Sequence, residues 1–147
     1  MPDYNLEPDA SIVPIHINDD ISSLSAILLD DAYYQFMMDG RTIINGIPVL
    51  RAEYLIPFKM YAWLDLTDRK LRNEHVNERD LKKHKYDVFR LLQLVTLPQV
   101  IECGDTVKNN IRRFLELMQG EELPLAQLQL PFEKEPALNI LGEVYQI

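Results

Sequence analysis

The sequence predicts an α+β fold, a small β-rich front packed on a mainly helical back half, and three observations predict it. Before residue 52 the chain carries short extended runs, SIVPIHI and RTIINGIPVL, the second built about Asn45-Gly46, a dipeptide suited to positive φ in a tight turn. After residue 52 apolar side chains recur at helical spacing, most clearly Val107, Ile111, Phe114, Leu115 and Met118. With 147 residues, 47% hydrophobic and 26% charged, the chain can bury a core, which argues against wholesale disorder. The length fits one domain, with 1–51 as the β-rich part and 52–147 as the helical part.

Taken in order, MPDYNLEPDA holds two prolines and three acids and reads as an irregular lead-in. SIVPIHI is apolar and β-branched enough for a strand, and Pro14, with no N–H to donate, assigns it to an edge or a bulge. Asn18, Asp19 and Asp20 end it. SLSAILL reads as a second strand, although so short an apolar run also suits part of a helix. DDAYYQFMMD then forms a short helix that stops at Gly40, and RTIINGIPVL forms two extended pieces.

The helical half begins with a helix over about 53–68, in which Pro57 is tolerable only in the first turn, where its missing N–H breaks no internal bond. Asn77 is a good N-cap for the next helix, ERDLKKHKYDVFRLLQLV, which runs to the break at Pro98 with Leu81, His84, Val88, Leu91, Leu92 and Val95 on one face. A third starts after Gly104-Asp105 and closes before Gly120. EKEPALNILGEVYQ forms the last.

Net charge is −8, which disfavours indiscriminate attraction to nucleic acid or anionic lipid. The charge is uneven, since residues 69–90 carry eight cations against four carboxylates. Only this segment attracts phosphate. The single cysteine, Cys103, rules out an internal disulfide framework and fits a reducing compartment. No secretory leader and no apolar run of ~20 residues is present, so a cytoplasmic protein without a membrane partner is expected.

Two places carry candidate chemistry. Lys59 is the one charge in YLIPFKMYAW, and a cation set among such neighbours must be paired, snorkel to water or face a polar hollow. Snorkelling is the ordinary meaning; the sharper one is a fixed cation for a phosphate, strengthened by a low local dielectric. In KKHKYDVFRLL, His84, Asp87 and Arg90 are three apart on one side of a helix, which is ordinarily an exposed ion-pair ladder. His16, His75 and His84 lack metal-ligand spacing. Asp19-Asp20 and Asp30-Asp31 cap or solvate turns, Tyr33 and Tyr34 are packing residues, and no glycine-rich phosphate loop exists.

The order "NGIPVL", "EYLIPFKMYAW", then "KKHKYDVFRLLQLV" resembles the C-terminal half of nucleotidyltransferase-like proteins of the AbiEii/AbiGii toxin type, over about residues 12–96. Leu55, Ile56, Lys59 and Ala62 match that family's L-I-x-x-K-x-x-A helix. Lys83 and Asp87 match its later K-D-x-x-D helix, with His84 where the first aspartate often stands. The resemblance implies a partial nucleotidyltransferase fold, a triphosphate-facing role for Lys59, and Lys83, His84 and Asp87 as further phosphate or nucleotide ligands. It also implies that Mg²⁺ and a nucleoside triphosphate bind only where a complete family site forms, because the Asp-x-Asp strand that holds the metals is absent from this chain. By that layout Met1 falls just after the strand bearing the third acid, so the chain reads as a nucleotidyltransferase without its N-terminal catalytic lobe. It is expected to have no catalytic residue, no metal ligand and no activity alone. The alternative is a non-catalytic interaction module in a toxin–antitoxin setting, either a homodimer or the partner of a separate lobe.

Overall fold

The computed structural model describes residues 12–14, 30–96 and 99–147. Expectations placed on SLSAILL, His16 and Asp19-Asp20 fall outside them. In chain order the elements are β1 (Ile12–Pro14), α1 (Asp31–Gly40), β2 (Arg41–Ile44), β3 (Ile47–Arg51), α2 (Ala52–Leu71), α3 (Glu78–Leu92), α4 (Asp105–Met118) and α5 (Lys134–Val144). The fold is α+β, a small antiparallel sheet packed on a helical part.

The sheet order is β1-β3-β2, both pairings antiparallel. Asn45 and Gly46 both take positive φ, at 53° and 76°, the geometry that lets a two-residue loop follow the twist of its strands. Among the described strands Pro14 lies on an edge one, where its missing donor is tolerated. Pro48 lies one position before Val49, the end of the stretch that β1 pairs.

Helix α1 opens on Asp30, whose carboxylate accepts the Ala32 N–H at 2.8 Å, and α3 on Asn77, whose side-chain oxygen accepts from Arg79 and Asp80. Both satisfy N–H groups that the first turn leaves over. Just past the end of α4 two carbonyls find a side chain from the next helix. Lys134 Nζ donates to the carbonyls of Gln119 and Glu121 at 2.8 and 3.0 Å, a cation at a helix C-terminus.

Helix α2 is the centre of the molecule. From Ala52 to Leu64 all but Tyr54 and Tyr61 are buried, and a helix apolar on nearly every side is one surrounded by other elements. Tyr33 and Phe36 of α1 pack on Phe58, with ring centroids 5.5 and 6.4 Å apart. Val88, Phe89 and Leu92 come from α3, and Val107, Ile111, Phe114 and Met118 from α4. Phe114 meets Trp63 edge-on, at 5.5 Å and 86°.

Pro57 departs from expectation. Since α2 starts at Ala52, Pro57 stands in its second turn, where its missing N–H leaves the Glu53 carbonyl without the usual i→i−4 donor. The buried hydroxyl of Tyr145, just past α5, donates to that carbonyl. Burial, followed by the nearby Glu53 charge, pushes this phenol well above its ordinary range, so it keeps its proton and stays a donor. Tyr145→Phe is therefore expected to destabilise by about 2 kcal/mol, the cost of a buried carbonyl left unmet. In a Pro57→Ala background, which restores the N–H, the same change should cost about 1 kcal/mol less by urea denaturation. Additive effects would show that the two are unrelated.

Candidate functional site

Helices α2 and α3 form an antiparallel hairpin joined by residues 72–77, and ion pairs tie it at both ends. Near the turn Lys70 Nζ lies 2.7 Å from Glu78, on exposed surface where such a pair contributes little. At the deep end Lys59 Nζ lies 3.2 Å from Asp87 Oδ2, with side chains only 7% and 17% exposed. The other Asp87 oxygen accepts from Arg90 Nη1 at 3.1 Å. Asp87 thus bridges a buried ammonium and a half-exposed guanidinium three residues along its own helix.

His84 lies one turn before Val88 and is 5% exposed; its Nδ1 has no hydrogen-bond partner among the described residues. Burial first, and then the positive charge of Lys59, hold its pKa below the ordinary 6.5, with Lys83 adding to this and Asp87 and Asp80 opposing it. The imidazole is neutral at pH 7. Lys83 is half-buried beside it. The site therefore brings together two cations on a shared carboxylate beside a neutral imidazole, with Lys83 near enough for its charge to act on that imidazole.

The unfolded chain binds a proton at His84 near pH 6.5, while the folded chain binds it only at lower pH. The contribution of neutral His84 to stability is thus complete above about pH 6.5 and lost as pH falls toward the folded pKa. Wild-type stability should decline more steeply between pH 7 and 5 than that of His84→Gln; parallel curves by chemical denaturation would contradict this.

The four residues singled out by sequence, Lys59, Lys83, His84 and Asp87, fall in one region, and Arg90 joins them. His75 is exposed, far along the chain in the connection between α2 and α3, and Cys103 is half-buried. Among the described residues no three His, Cys, Asp or Glu side chains gather as metal ligands. The donor set suits the oxygens of an anion better than Mg²⁺, because Asp87 is already held between two cations. Sequence reasoning missed a second polar feature of α3: Lys85 is buried and donates to Glu121 at 3.0 Å and to the Glu122 carbonyl at 3.4 Å. Its place four residues after Leu81 and four before Phe89, on the apolar face of the helix, was the available signal.

Comparison with known proteins returns no matching family model, no matching curated protein and no matching solved structure. No helix of the described residues is long and apolar enough to cross a membrane.

Proposed function

We propose that the chain is the helical half of a nucleotidyltransferase-like protein and that the Lys59 cluster is its site for the phosphates of a nucleoside triphosphate. The observation that carries this reading is the buried Lys59 ammonium, fixed by Asp87 and accompanied by Arg90, Lys83 and a neutral His84. A cation prepositioned in a poorly hydrated setting attracts an anion more strongly than one free in water, and loses less on binding it. Asp87 holds the ammonium in place; the polyphosphate meets Lys59, Lys83 and Arg90, whose charges exceed that of the one bridging carboxylate. A nucleotide-binding role in the cytoplasm accords with the lone thiol of Cys103.

No metal-holding carboxylate set accompanies this cluster in the sequence, so the chain is expected to bind without turnover. Titration of the purified chain with ATP, GTP, CTP and UTP, with and without Mg²⁺, tests the reading. Weak binding that falls roughly tenfold in Lys59→Met, about 1.4 kcal/mol, is expected, with a smaller loss in Arg90→Gln. No binding of any triphosphate, or binding indifferent to both substitutions, would remove the proposal. Incorporation of labelled nucleotide by the chain alone would overturn its inactivity.

A further inference from the structure

On another side of the α2–α3 hairpin lies an open groove of 440 Å³, walled by α2, α3 and the end of α4. Its lining includes Trp63, Thr67 and Leu71 of α2, Leu81 and Lys82 of α3, and Leu117 of α4. We infer that this groove docks one amphipathic helix of a partner protein, with acidic residues flanking its apolar face.

Three features point to a protein helix. Large exposed apolar side chains are few among the described residues, yet Leu71 at 75% and Leu117 at 39% exposure both stand at this groove. Apolar surface gathered around a concave site marks an interface, whereas single exposed leucines do not. The stretch from Trp63 to Leu71 is about 12 Å of helix, the length of two turns on an occupant. The walls are helices with no strand edge to extend, which leaves the helix-in-groove mode of recognition.

Charge selects an acidic occupant. Around the groove Lys70 pairs with Glu78 and Lys85 with Glu121, while Lys82, exposed, has no carboxylate partner among the described residues. The groove thus keeps a positive excess in a chain of net charge −8, and local complementarity of this kind sets partner choice and register. A second copy is a poor occupant. The apolar stripes of α4 (Val107, Ile111, Phe114, Met118) and of α5 are buried in the chain's own core.

The probes are two synthetic helical peptides of about 14 residues with the same leucines at i, i+4 and i+7, one flanked by glutamates and one by lysines. Trp63, the chain's single tryptophan, reports binding through its emission. The glutamate peptide is expected to bind at least tenfold tighter than the lysine peptide. Lys82→Glu should reverse that order, Lys82→Gln should erase it, and Leu117→Asp should weaken both. Both sites are at the surface, and unchanged thermal midpoints confirm folding. Binding of neither peptide, or affinities indifferent to the Lys82 substitutions, would overturn the inference. So would a dimer in light scattering that Leu117→Asp dissolves, since a second copy would then fill the groove. Lys59 is not involved, so this result stands apart from triphosphate binding.

Discussion

Asp87→Ala is expected to lower folding stability by about 3 kcal/mol, whereas Lys59→Met should leave it within about 1 kcal/mol of wild type. The asymmetry follows from desolvation. Burying the Lys59 ammonium is costly, and the carboxylate 3.2 Å away offsets much of that cost. Removing the carboxylate keeps the burial and deletes the compensation, while removing the cation deletes both and substitutes an apolar chain of similar reach. Asp87 keeps 17% of its side chain in contact with solvent, which sets the expected loss at the lower end of the range for buried pairs. Lys59→Met/Asp87→Leu should recover most of the loss. Urea denaturation of the four proteins decides it: if Asp87→Ala falls by less than 1 kcal/mol, the pair is not a buried one in energetic terms. The same set separates structure from binding, since Lys59→Met is predicted to stay folded and yet lose the triphosphate.

How much of this was legible in the sequence depended on whether the controlling interaction was local. Asn77, Asp30 and Asn45-Gly46 act within a turn of themselves, and all three do in the structure what their side chains or φ preferences dictate. The spacing of Val107, Ile111, Phe114 and Met118 gave α4 its buried face for the same reason. Lys59 and Asp87 stood out singly, by chemistry out of place and by a charge on a patterned helix, but their 3.2 Å contact depends on how the α2–α3 hairpin closes. Pro57 was misjudged because the compensating donor, Tyr145, lies 92 residues from the Glu53 carbonyl that it satisfies. No periodicity marks such a partner. The groove escaped notice for a related reason, since its lining comes from three helices and none of them alone shows an unusual stripe.

Gly40→Ala is expected to cost about 3 kcal/mol, a drop of roughly 6–12 °C in Tm for a chain of this size. Glycine at the end of a helix suggests a need for positive φ, but Gly40 is not among the residues with positive φ; Gly46 is. Space is the reason instead. A Cβ on Gly40 would stand 2.2 Å from Tyr54 Cγ, 2.5 Å from Cδ1 and 2.6 Å from Tyr54 Cβ. Tyr54 cannot swing clear cheaply, because its own Cβ, fixed to α2, is one of the clashing atoms and its ring packs against Phe36 with centroids 5.0 Å apart. The glycine is what lets α1 close on the first turn of α2, which in turn fixes the start of the helix that carries Lys59. Tyr54→Ala removes two of the three clashes and leaves the third. It should therefore cost at least 1 kcal/mol less in the Gly40→Ala background than in wild type, a coupling that only direct contact produces. Additive losses in a double-mutant cycle would show that α1 moves aside instead, and Gly40 would then return to being an ordinary helix stop.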